Sequence, residues 1–208
     1  LNPVIAFQVE SDLPELSDSF DDDEEIEEIQ VYLSTREALS SEDAPSWVAA
    51  MTKEKTKLHA FETWREMTDE EKKLDKKPIP VAVILTKKRC GTFKARAVVL
   101  GNQYLRDPDL CVYAPVVSQV ANRYLLIDSA SKKDYIIAFD QDNAFLNAFM
   151  DDFVKIRIPD ELKQTGNEPN VKVLVRALYG LPQSPRLWAK HYNKTLTGLG
   201  WEENPFEP

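Results

Sequence analysis

"YIIAFDQDNAFLNAFM" (residues 135–150) runs apolar from Tyr135 to Phe139, closes on Asp140, and turns apolar again at Phe145, Leu146, Phe149 and Met150 after Asp142. Five apolar residues in a row, several of them β-branched or aromatic, predict a buried strand with a carboxylate at its C-terminal mouth. A carboxylate there either caps the turn that follows or holds a hard cation such as Mg²⁺, which takes oxygen ligands. One carboxylate does not make a phosphoryl-transfer site, because two metals about 4 Å apart need at least two.

Two flanking segments bear on that choice. "VAVILTKKRCGTFKARAVVLG" (81–101) reads as strands over 81–86 and 93–100 joined by the basic loop Lys87-Lys88-Arg89-Cys90-Gly91. Lys94 and Arg96 alternate with Phe93, Ala95 and Ala97, so a strand puts both cations on one side. They either grip a triphosphate, with Arg able to hold oxygens bidentately, or solvate an edge strand. "LYGLPQSPRLW" (178–188) is a Gly-Leu-Pro turn leading into a helix start, with Ser184 and Pro185 as N-cap and N1 pair. Exposed N–H groups at such a start favour an anion, and Gln183 stands within reach of a base or sugar; the alternative is an ordinary loop-to-helix junction.

The remaining segments complete an α+β pattern. Trp47, Met51, Leu58, Phe61 and Trp64 recur at spacings of three, four and seven, which predicts an amphipathic helix opened by Asp43 or Ser46, with Pro45 in its first turn. A second helix is expected from about Gln119 to Ser131, strands over 153–159 and 171–178, and a last helix from Ser184 that stops at Gly198 and Gly200.

Composition sets the outer bounds. Apolar residues make up 43% of 208 and include four Trp, enough for a core, and no stretch approaches the roughly 18–20 apolar residues a membrane helix needs. "LNPVIAFQVE" (1–10) has neither a signal peptide's basic and apolar regions nor an initiator Met, which points to a fragment or processed piece. Cys90 and Cys111 form no metal-binding or disulfide pattern and fit a reducing, intracellular setting rather than secretion. The net charge of −9 is unevenly placed: residues 1–35 hold eleven acids and no base, and the rest holds 24 acids against 26 bases. Residues 1–33 are therefore read as an acidic disordered segment, and the near-neutral body permits nucleic-acid contact through a local patch.

Taken in order, these segments resemble the reverse transcriptase of copia-type LTR retrotransposons. "EALSSEDAPSWVAAMTKEKTKLHAFETW" is similar to that family's entry segment, "FKARAVVLGNQY" to its fingers strand, and "YAPVVS" to the short block after it. "AFDQDNAFLNAFMDDFVKIRIP" is similar to its first palm motif and "KVLVRALYGLPQSPRLW" to its second. The resemblance spans 34–208 and implies the fingers and part of the palm of a right-hand polymerase, cut from a retrotransposon Pol polyprotein.

It also implies roles. Asp140 matches the palm aspartate that binds Mg²⁺, with the Gln141 carbonyl on the same metal. Asn143 and Ala144 sit where backbone N–H groups meet the incoming dNTP, and Phe145 matches the aromatic gate that excludes a 2′-hydroxyl. Lys94 and Arg96 match the fingers cations on the triphosphate, and Gln183 the palm glutamine near the nucleotide. The implied partners are an RNA/DNA primer–template, dNTPs and the rest of the polyprotein, in a cytoplasmic virus-like particle or the nucleus, with no membrane.

The sequence departs from the family at three points. The family's central Tyr-x-Asp-Asp hairpin is missing; Asp151-Asp152 follows Met150 at the wrong place in the order. Asp142 stands where the family often has Lys, and Ala97-Val98-Val99-Leu100 replaces a stretch that usually ends with a basic residue. With one of three metal-binding carboxylates, the chain alone is expected to be polymerase-dead. The alternatives are a non-catalytic nucleic-acid-binding remnant and an unfolded relic.

Overall fold

The computed structural model describes residues 30–32, 34–103, 111–137 and 140–202. The chain divides into two compact units, a smaller one that includes Val116–Gln141 and a larger one built from Glu28–Pro115 and Asp142–Glu203.

The larger unit mixes helices with a six-stranded mixed sheet. Its spine is the hairpin of β3 (Ile79–Lys87) and β4 (Phe93–Val99), in register from Val81 opposite Val99 to Lys87 opposite Phe93. The hairpin forms where the alternation predicts it. Ile79, Val81, Val83 and Leu85 on β3 and Ala95, Ala97 and Val99 on β4 are buried, whereas Lys94 and Arg96 are exposed. On the other edge of β3, β1 (Gln30–Tyr32) pairs antiparallel at its end and β5 (Lys155–Arg157) pairs parallel at its start. β6 (Val171–Leu174) continues from β5, and β2 (Trp64–Arg65) closes the order. β1 lies in the last residues of the stretch read as disordered; residues 1–29 and 33, the rest of that stretch, lie outside the described residues.

Two helices lie between β1 and β2, α1 (Thr35–Leu39) and α2 (Ala44–Ala60). The expected amphipathic helix is thus shorter than its apolar spacing. It ends at the Phe61 cap because Glu62 takes φ of +49°, and Thr63 turns its N–H and hydroxyl back onto the Leu58 carbonyl. Trp64, counted in the helical stripe, sits on β2 instead. Trp47 and Leu58 are fully buried, and Trp47 meets Phe93 edge-on at 4.6 Å. Burial of each such side chain contributes roughly 1.5–3 kcal/mol, so α2 fixes the hairpin from one side.

Glu54 shares the buried stripe of α2. Its carboxylate accepts the Ala97 N–H at 3.0 Å on the outer edge of β4 and pairs with Lys57. Short helix α3 (Asp69–Lys73) opens with a reciprocal cap between Thr68 and Glu71, and Arg65 grips Glu71 through both nitrogens at 2.8 and 2.6 Å. Those bonds hold the Glu71 carboxyl down at about 2.

Helix α5 (Ser184–Gly198) begins one residue earlier than expected. Gln183 is the N-cap and Pro185 falls in the first turn, because the Ser184 hydroxyl is spent donating to the Leu178 carbonyl at 2.6 Å. Leu187 carries its buried face.

In the smaller unit, Ser118 caps α4 (Gln119–Lys132) by accepting the Ala121 N–H at 3.0 Å, close to the expected helix. The strand expected over 135–139 is not formed in its described part. Tyr135, Ile136 and Ile137 are irregular and exposed, Ile137 to 82%, while Ala138 and Phe139 lie outside the described residues. A strand exists only where a neighbour takes up its N–H and C=O groups, and among the described residues none pairs with 135–137. No helix among the described residues is long and apolar enough to cross a membrane.

Candidate functional site

In the larger unit, three segments far apart in sequence meet at one place: β4, the turn after Asp142, and the Tyr179-Gly180 loop before α5. The contact between β4 and the loop is made by backbone. The Val99 N–H donates to the Tyr179 carbonyl at 2.8 Å. Gly180 takes φ of +92°, and a Cβ there would overlap the Val99 carbonyl oxygen; a Cβ at Gly101 would overlap the Gly180 carbonyl oxygen. Two glycines therefore let two main chains touch, and the loop cannot leave the end of β4.

The turn after Asp142 is set by Asn143, whose φ of +55° suits a residue that tolerates the left-handed region. The single 3₁₀ turn Ala144–Asn147 follows, with Leu146 N–H donating to the Asn143 carbonyl at 2.9 Å and the Leu146 side chain buried. Beyond it, Met150 N–H donates to the Val175 carbonyl and Ala177 N–H to the Ala148 carbonyl, both at 2.9 Å. This tie to the continuation of β6 brings Phe145 against Ala148, Ala177 and Leu187 and onto Tyr179.

The rings of Phe145 and Tyr179 meet edge-on with centroids 4.7 Å apart, and the Arg96 guanidinium carbon stands 5.9 Å from the Tyr179 centroid. Lys94 lies two residues along the same face of β4. Partial burial pushes its ammonium below the ordinary value, and the charges of Arg96, Lys88 and Lys57 push the same way against Glu54. Cations held this close repel one another, and a bound polyanion relieves that repulsion.

Lys94, Arg96, Asn143, Ala144 and Phe145 thus all belong to this unit, with Arg96 and Phe145 linked through Tyr179. Gln183 belongs to it too but is turned inward. It is fully buried, its amide nitrogen lies 3.4 Å from both Asp152 oxygens, and its Oε1 has no hydrogen-bond partner among the described residues. The first turn of α5 carries Arg186 paired with Asp151 at 2.7 Å. Asp140 and Gln141 fall in the smaller unit, both exposed. Among the described residues no three His, Cys, Asp or Glu side chains gather as metal ligands would.

Sequence reasoning missed Tyr179 and Glu54. The Tyr-Gly pair carries no spacing signal. Glu54 had one: it falls at the helical position between Met51 and Leu58, inside the apolar stripe.

Residues 61–208 match the family described as Reverse transcriptase (RNA-dependent DNA polymerase). The chain is similar to the Retrovirus-related Pol polyprotein from transposon TNT 1-94 of Nicotiana tabacum, 28% identical over 169 residues that cover 78% of this chain and 12% of that protein. It is 33% identical over 150 residues to the Transposon Ty1-DR4 Gag-Pol polyprotein of Saccharomyces cerevisiae, covering 68% of this chain and 9% of the relative. A putative transposon Ty5-1 protein of the same yeast is 39% identical over 62 residues, 30% of this chain and 20% of its own length. The chain therefore spans between 9 and 20% of these relatives. No solved structure matches it.

Proposed function

Because the chain belongs to the reverse transcriptase (RNA-dependent DNA polymerase) family, in the form carried by LTR-retrotransposon Pol polyproteins, we propose that its larger unit is the nucleotide-gripping part of such a polymerase, its fingers and part of its palm. The observation that carries this reading is that exposed Arg96 and half-buried Phe145 both meet the ring of Tyr179, at the end of a cationic strand. Lys94 and Arg96 draw in the triphosphate, and Phe145 forms the wall beside the sugar. Asn143 and Ala144 stand at the turn that leads to that wall, and Gln183 takes part after turning away from Asp152. In the family reaction a nucleotidyl group passes in line to a primer 3′-hydroxyl; little covalent chemistry falls to the protein, so positioning and charge stabilisation dominate.

The family uses divalent metal ions, and Asp140 with the Gln141 carbonyl is the proposed ligand pair. The described residues do not fit a two-metal centre, since no further carboxylates gather into a ligand set. This chain alone is expected to hold nucleotide and primer–template without extending the primer. Primer extension with Mg²⁺ and a homopolymer template tests this, and incorporation that Asp140→Ala abolishes overturns the inert reading.

A second reading, a nucleic-acid-binding remnant without nucleotide selection, draws on the exposed cations Lys94 and Arg96 on one face of β4, with the charges of Arg96, Lys88 and Lys57 acting on Lys94. Both readings expect primer–template binding that weakens with salt and loses slope when Lys94 and Arg96 become Ala. Binding of a dNTP separates them.

A further inference from the structure

Arg96 and Phe145 each meet the ring of Tyr179. The cation stands 5.9 Å from the Tyr179 centroid, inside the range in which a guanidinium is attracted to a ring face. The Phe145 ring meets the same ring edge-on, the geometry aromatic pairs prefer. Phe145 is held on one flank by the small side chains Ala148 and Ala177 and by Leu187. Tyr179 adds the aromatic contact to this packing.

Tyr179 is itself fixed to the cationic strand. Its carbonyl takes the Val99 N–H, and the residue after it is pressed against the Val99 backbone with no room for a side chain. The end of β4 is thereby tied to the residue that carries the ring.

We propose that Tyr179 is a positioning residue for sugar selection: its ring fixes Phe145 at a set distance from Arg96 and so couples grip on the triphosphate to exclusion of a 2′-hydroxyl. The inference rests on the nucleotide-site reading of Arg96 and Phe145. It assigns the work to the ring and none to the phenol hydroxyl. Tyr179→Phe should then behave as the wild type, while Tyr179→Leu should bind dNTPs less tightly and lose most of its preference over ribonucleotides. An aromatic pair of this kind corresponds to roughly a two- to tenfold effect, which is the expected fall in the affinity ratio.

The test is calorimetric titration of the 208-residue chain with dATP and with ATP, in Mg²⁺ and an RNA template–DNA primer duplex whose templating base is uracil. Support requires that wild type and Tyr179→Phe prefer dATP, that Tyr179→Leu shows a reduced ratio, and that adding Phe145→Leu to Tyr179→Leu changes little more. A general loss of folded protein lowers both affinities together and leaves the ratio unmoved. Should Tyr179→Leu fail to fold by near-ultraviolet circular dichroism, Tyr179→Met carries the same comparison. A ratio unchanged in the Leu or Met variant, with wild type still preferring dATP, overturns the role of Tyr179 and leaves the nucleotide site standing. Binding of neither nucleotide by the wild type overturns the nucleotide site and this role with it.

Discussion

Replacing Gly180 by Ala tests the backbone contact on which the site depends. Three costs act at that residue. Holding an L-residue at φ of +92° costs about 1–2 kcal/mol. The new Cβ overlaps the Val99 carbonyl oxygen and stands 2.8 Å from Val98 Cγ1, and because the first obstacle is backbone the loop itself must move. Forced shifts of this size in packed regions cost about 1–3 kcal/mol. The movement pulls the Tyr179 carbonyl off the Val99 N–H, and a hydrogen bond of that kind contributes about 1 kcal/mol. Together these give about 4 kcal/mol, a large share of the roughly 5–15 kcal/mol that keeps a domain folded. Gly91 supplies the internal control: its φ is +80° and a Cβ there meets nothing within 4 Å, so Gly91→Ala carries only the conformational cost. Urea unfolding should place the Gly180→Ala midpoint about 1–2 M below that of Gly91→Ala, for a slope of about 2 kcal/mol per molar. Equal midpoints for the two variants would refute the claim that β4 and the loop are locked through their main chains.

Two further predictions rest on carboxylates with opposite exposure. Glu71 is held at about 2, against its ordinary 4.5, first by the Arg65 hydrogen bonds and then by the Thr68 N–H. A depressed carboxylate stabilises the fold above its unfolded pKa, and that contribution disappears as pH falls through the folded one. Acid unfolding of the wild type should therefore steepen between pH 4.5 and about 2, and Glu71→Gln should flatten that limb. Glu54 is buried and accepts the Ala97 N–H, so Glu54→Ala strands a buried donor at about 1–3 kcal/mol and leaves Lys57 unpaired. Glu54→Gln keeps an acceptor and should cost less, and slow exchange of the Ala97 amide should survive in Gln and be lost in Ala.

The elements read correctly from sequence are those whose local pattern and tertiary setting agree. β3 and β4 alternate cleanly because one face meets α2 and the other meets solvent, so period two survives in the sequence. The cap residues of α4 do the same for a helix. Misreadings come where distant residues decide the outcome. Trp64 keeps helical spacing with Leu58 and Phe61, but Glu62 reverses the chain and hands Trp64 to β6 as a strand partner. Tyr135–Ile137 have the composition of a strand, and composition does not supply the neighbour a ladder needs. Lys94, Arg96 and Phe145 could be singled out by residue type and order. That one ring meets two of them could not, because Tyr179 is brought to the end of β4 by a close approach at two glycines, 101 and 180, that no local rule relates.

The carboxylate lodged beside β4 has a consequence for solubility. A strand with an open flank is a template for another chain, and long apolar ones seed intermolecular sheets. β4 is seven residues long and alternates Ala and Val inward, yet its outward N–H groups at Ala97 and Val99 are already occupied by the Glu54 side chain and the Tyr179 carbonyl. The C-terminal half of this edge is thereby blocked against recruiting a further strand. Removing one of those blocks by Glu54→Ala should make the hairpin prone to gather copies of itself, visible as concentration-dependent light scattering before any loss of helix.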